Sequence, residues 1–447
     1  MGDLLDGGKL SEREVQIRRI LKRVEENLRR EWDEEPTTLD EIEDESQRIG
    51  EAVKEIIEEE RLDHKGTGYA GVHCPCSCGA PARFIGMYAR RLVTRSGERR
   101  VLRAYYHCVS CRKGLCPLDA QLGPVFGCFS VQVCALATRF SSYLPFGQAC
   151  REMEEVCGVR ISPSSMRRIA LLNGLQMEKD WSAKEADLWQ QKEGALPKDV
   201  APRGRVKQLH VSLDGVMVFC GGEWREAKLG VAYQNKHGQI EANYYGTLAR
   251  SEAFGRRLRT LAYVNGADHC ANVAVVADGS VWIWLEAGKY FATKTQVLDF
   301  YHVSEHLWKL ARLRFGDRTQ TDRRKGAAWV SHQKERLLED EAEAVIRSIA
   351  RWSAKTQEQR DEQRKLLAYL REHRRRLRYK TFRAAGWHIG SGVMEAGCKA
   401  VVQSRMKGAG MRWSEQGAQA MLHLRAAVCS EHRPNFVDLA CRATLAA

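Results

Sequence analysis

Three acidic residues, far apart in the chain, have surroundings that suit metal-dependent chemistry on a phosphate backbone. Asp214 lies in the strand-like run VSLDGVMV, Asp278 ends the apolar run NVAVVAD, and Glu395 follows the glycines of IGSGVMEAG. Three carboxylates can hold two Mg²⁺ or Mn²⁺ ions, which activate one oxygen and stabilise the leaving one. Gathering three acids without a cation is costly, because each negative charge disfavours the ionisation of its neighbours. We therefore predict a site for two divalent ions formed by these three carboxylates.

Turn formation is the alternative for two of these acids. Asp214 and Asp278 each precede a glycine, and Asp-Gly is a common turn dipeptide. The residues after Glu395 favour the metal site, because three cations and a tryptophan follow in QSRMKGAGMRWS. Cationic side chains contact the phosphate backbone of nucleic acids. The three that we expect to do so here are Arg405, Lys407 and Arg412.

The order of elements in the second half of the chain is that of a ribonuclease-H-like domain. Three strand candidates, VKQLHVSLDGVMVFC, EWREAKLGVAYQ and IEANYYGTLA, precede a helix at 251–264, the strand NVAVVAD and a short strand near QVLDFY. Glu395 lies 117 positions after Asp278, which is too far for a minimal domain of this kind. A helical insertion at 303–385 accounts for the excess. The predicted fold class is α/β and multidomain, with a ribonuclease-H-like catalytic core and an all-helical insertion.

Several long stretches resemble the DDE transposases of bacterial insertion sequences, specifically the ISKra group. These stretches are YYHCVSCRKGLCPLD, HVSLDGVMV with GEWREAKLG, VADGSVWIW, QVLDFYHVSEHL and IGSGVMEAGCKAVVQSRMKGAGMRWS. The resemblance covers most of the chain, from about residue 70 to 430. It implies that Asp214, Asp278 and Glu395 are the family's catalytic triad. It also implies a ribonuclease-H-like core whose helical insertion precedes the last acid.

A histidine follows the short strand at QVLDFY. Related transposase groups carry an acid or cysteine, two residues and a histidine beside the catalytic pocket, so the resemblance implies that His302 contacts DNA or orients a metal-bound water, with Asp299 bracing it. The alternative is a strand-end aspartate and a helix-starting histidine held by ordinary hydrogen bonds. Residues 302–306 also match the H-x-x-E-H pattern of inverted zinc proteases. A protease needs a further ligand downstream and leaves the cationic surface unexplained, so we do not favour it.

Two groups of cysteines are typical of a zinc ribbon. Cys108 and Cys111 form a C-x-x-C pair, and the earlier segment CPCSCG supplies the second group. Either Cys74 and Cys78 bind the ion together, or Cys76 replaces one of them. We favour Cys74 and Cys78, because the flanking proline and glycine match the C-P-x-C-G pattern that family members usually show. Four sulfurs fill the coordination shell of Zn²⁺, so the expected role is structural, and the alternative is a set of buried free thiols.

Two further segments are candidates for DNA contact. Helices at 146–157 and 162–181, joined by a turn, fit a helix-turn-helix, although a helical hairpin in a core has the same pattern. Three residues at the start of its second helix lie where recognition residues meet DNA: Ser164, Arg167 and Arg168. A basic run near the end of the insertion is dense enough for phosphate contact, although such runs are often solvated faces. Its central residues are Arg374, Arg375 and Arg376.

Charge and composition are consistent with this partner. The 447 residues carry a net charge of +14, and residues 1–65 hold 12 Lys and Arg against 21 Asp and Glu. This acidic segment has a charge of −9 and the remainder +23, which fits either an interaction segment or an ordinary solvated helical pair. The predicted organisation is an acidic helical region at 1–66, a zinc ribbon at 67–122, a helix-turn-helix at 123–185, a catalytic core at 186–302 and 386–430, a helical insertion at 303–385 and a tail at 431–447.

The sequence therefore predicts a DNA transposase. We expect cleavage at the ends of its element and transfer of the 3′-hydroxyl to target DNA, with Mg²⁺ or Mn²⁺ and a structural Zn²⁺. The alternatives are a structure-specific nuclease or resolvase of the same fold, and a domesticated DNA-binding protein without activity. The expected partners are double-stranded DNA and a second copy of the chain. No apolar run reaches the roughly 18 residues of a membrane span, and the charged N-terminus is unlike a signal peptide, so we expect a cytoplasmic, nucleoid-associated bacterial protein.

Overall fold

The computed structural model describes residues 11–31, 38–190, 207–270, 272–292 and 294–446. A helix break predicted at 34–38 lies outside these residues except for Thr38, as do residues 191–206 of the predicted catalytic core. The chain divides into two compact units. The first contains the residues up to Ile169 together with Asn435–Ala447, and the second contains Ala170–Pro434.

The first unit begins with two helices that pair through their charged side chains. These helices are α1 (Glu12–Glu31) and α2 (Leu39–Lys65). Thr38 caps α2, because its hydroxyl accepts from the Glu41 amide while the Glu41 carboxylate accepts from the Thr38 amide. Arg23 of α1 binds Glu59 and Glu60 of α2 at 2.8 and 3.0 Å.

A mixed sheet of six strands follows. Its order is β4-β3-β2-β6-β5, with β1 paired to β2. The long hairpin of β2 and β3 is antiparallel and dominates the sheet. A short helix, α3 (Pro117–Leu122), lies between β4 and β5. The strands are β1 (His73–Pro75), β2 (Pro81–Thr94), β3 (Gly97–His107), β4 (Gly114–Leu115), β5 (Val125–Phe126) and β6 (Phe129–Ser130).

Helices complete the first unit around a small apolar core. They are α4 (Val131–Tyr143), α5 (Phe146–Cys157), the first turns of α6 (Pro163–Gln190) and α17 (Phe436–Leu445). Gly158 ends α5 in the left-handed conformation, with a φ of 64° that favours glycine. The helix α6 was expected to end near residue 181 but continues to 190, because the sequence SAKEADLWQ contains good helix formers and no breaker.

The second unit is built on a five-stranded sheet with the order β11-β10-β7-β8-β9. The strands β7, β8 and β9 form an antiparallel meander, whereas β10 runs parallel to β7 and β11 runs parallel to β10. Gly221 and Gly222 both have positive φ and form the two-residue turn between β7 and β8. The strands are β7 (Gln208–Cys220), β8 (Glu223–Lys236), β9 (Gln239–Thr247), β10 (Asn272–Ala277) and β11 (Thr295–Leu298).

Helices surround this sheet and form most of the second unit. The stretch 303–385, predicted to be a helical insertion, contains the greater part of α9 and all of α10–α13. The helices of this unit are α7 (Ser251–Val264), α8 (Val281–Tyr290), α9 (Phe300–Phe315), α10 (Gln320–Leu338), α11 (Ala342–Ala350), α12 (Gln357–Glu372), α13 (Tyr379–Ala384), α14 (Gly392–Gly397), α15 (Ser404–Met406) and α16 (Glu415–Cys429). A π-helix, Cys398–Gln403, joins α14 to α15.

The central strands carry a large apolar core. Val211, Val275 and Val276 are completely buried, as is typical of parallel strands that are covered on both faces. The same core includes buried side chains of α7–α13, so the helical stretch 303–385 packs with the sheet as one unit. Among the described helices, none is long and apolar enough to cross a membrane.

Candidate functional site

Asp214 lies in β7, and Asp278 directly follows β10, the parallel neighbour of β7. The ladder pairs Asn272 of β10 with Gln208 of β7, and Val275 with Val211, so paired residues are 64 positions apart. Asp214 and Asp278 are also 64 positions apart, and Asp278 lies directly after the last residue of β10. Because paired residues of a sheet share a face, the same register brings the two carboxylates to one side of the carboxyl end of β10.

Asp214 is a largely buried carboxylate with few compensating donors. Its Oδ1 accepts from the Gly215 amide at 2.6 Å, and its Oδ2 accepts from the Cys398 thiol at 3.4 Å. Burial is the main cause that raises the pKa of Asp214, and the negative charge of Asp278 adds to this shift. A cation bound nearby would stabilise the ionised form of Asp214.

Asp278 is held by its own turn. Its two carboxylate oxygens accept from the amide and the hydroxyl of Ser280 at 2.9 and 3.1 Å, and its carbonyl accepts from the Trp284 indole at 2.7 Å. Gly279 leaves no room for a side chain, because a Cβ there would lie 2.5 Å from the hydroxyl oxygen of Tyr369. The turn therefore needs glycine at this position for its close approach to α12.

Glu395 lies in the first turn of α14, as predicted, and its side chain is exposed. Three residues later Cys398 begins the π-helix, and its thiol donates to Asp214. Burial raises the pKa of the Cys398 thiol, and the charges of Asp214 and Glu395 add to this effect, so the thiol keeps its proton. Cys398 therefore connects the Glu395 helix to Asp214, and single-turn π segments are frequent at functional sites.

The three acids do not form a closed set of ligands in the described part of the chain. Three or more His, Cys, Asp or Glu residues could hold a metal ion where their ligand atoms all lie within 4.8 Å of one another. Among the described residues, the three acids do not form such a group. Their donor atoms are nevertheless of the right type, because carboxylate oxygens are the preferred ligands of Mg²⁺ and Mn²⁺. The raised pKa of Asp214 follows mainly from burial, and a cation bound to its carboxylate would lower it.

Asp299 joins three elements of this region. It is 2% exposed and caps α9, because its Oδ1 accepts from the amides of Tyr301 and His302 at 2.6 and 3.3 Å. Its Oδ2 accepts from the amide of Ser391 at 3.1 Å and from the hydroxyl of the same residue. We expected the Asp299 side chain to brace the side chain of His302. Asp299 instead holds the start of α9 and the turn before Glu395, and it contacts His302 through the backbone amide.

The His302 ring lies beside a second histidine ring on the same helix, α9. Its centroid is 4.9 Å from that of His306 and 6.5 Å from that of Tyr369, and its Nδ1 lies 3.5 Å from Glu305. The H-x-x-E-H residues are not among the groups with closely spaced ligand atoms in the described part of the chain. The structure gives no support to the zinc-protease alternative.

The cysteine cluster is formed by Cys76, Cys78, Cys108 and Cys111, whose sulfur atoms all lie within 4.8 Å of one another. The Sγ atoms of Cys76 and Cys111 are 3.5 Å apart, and those of Cys78 and Cys108 are 3.6 Å apart. Four sulfurs bound to one Zn²⁺ at about 2.3 Å lie roughly 3.8 Å from each other in a tetrahedron, so the spacing fits.

The preference for Cys74 as a ligand is corrected by this geometry. Cys74 lies in β1, paired with Ala82, and its side chain is buried in the local apolar core outside the cluster. Burial raises the pKa of the Cys74 thiol, whereas a backbone hydrogen bond from Cys78 is the main cause that lowers the pKa of Cys76 to about 6. The Sγ atom of Cys76 lies within the four-sulfur group, so Cys76 is the better ligand.

The residues predicted to contact DNA divide into an exposed group and a more buried group. The exposed residues are Ser164, Arg167, Arg168, Arg374, Arg375, Lys407 and Arg412. Arg405 is instead 2% exposed with its guanidinium 5.0 Å from the Trp413 ring, and burial lowers its pKa to about 10. Arg376 is half-buried, stacks on Trp284 at 4.1 Å and binds Gln296 at 2.9 Å. The prediction that Arg405 contacts DNA at the surface is therefore corrected, because its side chain is buried. Arg376 contributes to packing in this structure.

Comparisons with known proteins do not identify a relative. No protein-family model matches the chain. No curated protein matches it either. The function must therefore be inferred from the fold and from the arrangement of the acids.

Two residues of this region were not singled out from the sequence. Cys398 follows Glu395 by three positions, which places both on one side of a helix. The spacing alone therefore indicates that Cys398 lies near the acid. Tyr369 belongs to the helical stretch 303–385 and reaches Gly279 only through tertiary packing. A single tyrosine in a charged helix gives no local signal of such a contact.

Proposed function

We propose that this chain is a DNA transposase of the DDE type, with Asp214, Asp278 and Glu395 as its catalytic acids. The observation that carries the proposal is the shared 64-residue spacing of the β7–β10 ladder and of the two aspartates. The link from Asp214 through Cys398 to the Glu395 helix supports the third position. A site built from three carboxylates is suited to phosphoryl transfer with divalent ions.

The topology of the second unit supports a ribonuclease-H-like core. An antiparallel meander followed by two strands that add in parallel on the other side of β7 is the order expected of that domain. The helices between Asp299 and Glu395 take the place of the proposed insertion. Fold alone does not define the reaction, so the acids and their surroundings carry the functional argument.

Each group has a defined part in the proposed reaction. Asp214, Asp278 and Glu395 would hold two Mg²⁺ or Mn²⁺ ions, and these supply activation of the attacking oxygen and stabilisation of the leaving oxygen. Asp299 and Ser391 fix the turn that precedes Glu395. Positioning and charge neutralisation dominate phosphoryl transfer, so no covalent intermediate with the protein is required.

The substrate is DNA in two successive roles. Water cleaves a phosphodiester at the end of the element and releases a 3′-hydroxyl, which then attacks a phosphodiester of target DNA in line. The exposed arginines at the start of α6 and the cysteine cluster, loaded with Zn²⁺, would recognise the element ends. Two ends must be paired, so we expect a dimer or a larger assembly on DNA.

A substitution of Asp214 tests the proposal. Asp214→Asn removes one metal-binding charge at nearly constant shape, so cleavage should be abolished while the affinity for DNA is retained. Asp317→Asn, an exposed aspartate at the end of α9, serves as the matched control and should cleave normally. Loss of folding and DNA binding in Asp214→Asn would show that Asp214 is structural. Cleavage without strand joining by the wild type would identify a nuclease of the same fold.

A further inference from the structure

The side chain of Tyr369 carries a hydroxyl group that is buried and has no hydrogen-bond partner among the described residues. A buried donor without an acceptor costs about 1–3 kcal/mol, so each case needs an explanation. The hydroxyl lies against Gly279, where a Cβ would be 2.5 Å from its oxygen, and therefore lies directly beside Asp278. The helix α12 thus places an unused donor next to one of the proposed catalytic acids.

The surroundings of Tyr369 hold it firmly in this position. Its ring lies 4.7 Å from the ring of His306 and 4.9 Å from that of His373, which is four positions later on the same helix face. Burial raises the pKa of the Tyr369 hydroxyl, and the negative charges of Asp278 and Asp299 add to this effect. The hydroxyl therefore stays protonated and remains a donor throughout the physiological pH range.

The carboxylate of Asp278 uses both of its oxygens within its own turn, on Ser280. A carboxylate that binds a metal ion must direct at least one oxygen to the ion, and the other is then commonly held by a hydrogen bond from the protein. The Tyr369 hydroxyl is a donor in contact with this turn that has no other partner among the described residues.

We propose that Tyr369 is a positioning residue that donates a hydrogen bond to Asp278 when Asp278 holds a divalent ion. This inference rests on the proposed function, because it takes Asp278 as a metal ligand. It assigns the helical stretch 303–385 a part in forming the site, through α12. It also explains the orphan hydroxyl, which gains its acceptor only in the metal-bound protein.

The inference predicts an unusual combination of effects for Tyr369→Phe. Without divalent ions the variant should melt at the same temperature as the wild type or slightly higher, because the deleted hydroxyl has no partner there. Its affinity for Mn²⁺ should fall about tenfold or more, which is typical when a hydrogen-bond partner of a metal ligand is removed. A residue with a purely structural role would instead lower the melting temperature and leave Mn²⁺ binding unchanged.

Tyr379→Phe provides the matched control. Tyr379 is completely buried and its hydroxyl also has no partner among the described residues, but its ring packs on Phe300, and the atoms nearest to a Cβ at Gly279 belong to Tyr369. Its removal should leave Mn²⁺ affinity at the wild-type value.

The experiment is a titration of zinc-loaded, full-length protein with Mn²⁺, followed by the electron paramagnetic resonance signal of the free ion. Wild type, Tyr369→Phe, Tyr379→Phe and Asp278→Asn are compared, with thermal melting of each in the absence of Mn²⁺. Weaker Mn²⁺ binding in Tyr369→Phe, together with wild-type Mn²⁺ binding in Tyr379→Phe, supports the inference. Wild-type binding in Tyr369→Phe, combined with loss of binding in Asp278→Asn, would overturn the inference and leave the proposed function intact. Undiminished binding in Asp278→Asn would overturn the metal site itself.

Discussion

The carboxylate of Asp299 accepts hydrogen bonds from the amide and the hydroxyl of Ser391, a residue 92 positions further along the chain. The amide of Asp299 donates to the carbonyl of Ala277, the last residue of β10, at 2.8 Å. One buried aspartate therefore ties the strand that leads to Asp278 to the turn that leads to Glu395. This arrangement makes the relative placement of two proposed catalytic acids depend on the buried side chain of Asp299.

The first prediction concerns Asp299→Asn. An amide nitrogen in place of one carboxylate oxygen would face N–H donors, so we expect a loss of about 1–3 kcal/mol in the free energy of unfolding. DNA cleavage should fall more steeply than stability, because the turn before Glu395 loses its anchor. Urea unfolding and a cleavage assay on the same preparations measure the two effects.

Thr319→Ala is the control for this comparison. Thr319 caps α10 at an exposed site, where its hydroxyl accepts from the Asp322 amide at 3.1 Å. Its removal should cost about 1 kcal/mol of stability and leave cleavage unchanged. Equal losses of cleavage in the two variants would mean that Asp299 acts through stability alone.

The second prediction concerns the zinc ligands. Purified wild type should contain one zinc ion per chain, and Cys76→Ser should contain none, because a serine hydroxyl is a poor ligand for Zn²⁺. Cys74→Ser should keep its zinc, since Cys74 lies outside the cluster. Metal analysis by mass spectrometry distinguishes the two variants. Zinc retained in Cys76→Ser and lost in Cys74→Ser would restore the ligand set that the sequence favours.

The third prediction separates exposed from buried cations. Arg412 is exposed, so Arg412→Ala should weaken DNA binding and lower the salt dependence of the affinity by about one phosphate contact. Arg405 is buried, so Arg405→Ala should mainly lower the free energy of unfolding. Fluorescence anisotropy at several salt concentrations measures the first effect and urea unfolding the second. An unchanged salt slope in Arg412→Ala would remove this residue from the DNA-binding surface.

The fourth prediction concerns pH and the contact between α6 and α16. Glu178 lies 2.5 Å from His423 Nε2, and this hydrogen bond is the main cause that lowers the pKa of Glu178. A carboxylate with a lowered pKa contributes stability above its unfolded pKa of about 4.3, and this contribution is lost as the pH falls through the folded pKa.

Glu178→Gln should therefore be less stable than the wild type at pH 6, and the difference should shrink as the pH falls through the folded pKa of Glu178. The effect should be modest, because the Glu178 side chain is 35% exposed and solvent screens the interaction. Urea unfolding of both proteins between pH 3 and 7 provides the comparison. Two parallel stability curves would show that the ionised carboxylate contributes nothing.

Much of the local structure could be predicted from sequence because it follows from local rules. The capping of α2 by Thr38, the strands of the long β2–β3 hairpin and the position of Glu395 in a first helical turn all depend on residues close in sequence. The register of the β7–β10 ladder could also be anticipated once Asp214 and Asp278 were taken as partners. These features depend on hydrophobic periodicity, caps and strand pairing.

The features that the sequence did not disclose depend on tertiary packing. Arg405 follows the pattern of a basic surface run, yet its side chain is enclosed against Trp413, and this could not be seen from neighbouring residues. Cys74 and Cys76 have similar sequence neighbourhoods, and only the pairing of β1 with β2 decides which one faces the cluster. The contact of Tyr369 with Gly279 joins residues 90 positions apart in the sequence, so it also depends on tertiary packing.

The most direct test of the central claim is a reaction with the DNA that flanks the gene of this protein. Purified wild type and Glu395→Gln are incubated with Mg²⁺ or Mn²⁺ and a plasmid that carries this DNA. We predict cleavage at defined ends followed by joining of the released 3′-hydroxyl to target DNA, with both steps lost in Glu395→Gln. Tight DNA binding by the wild type without metal-dependent cleavage, or the same products from both proteins, would contradict the assignment.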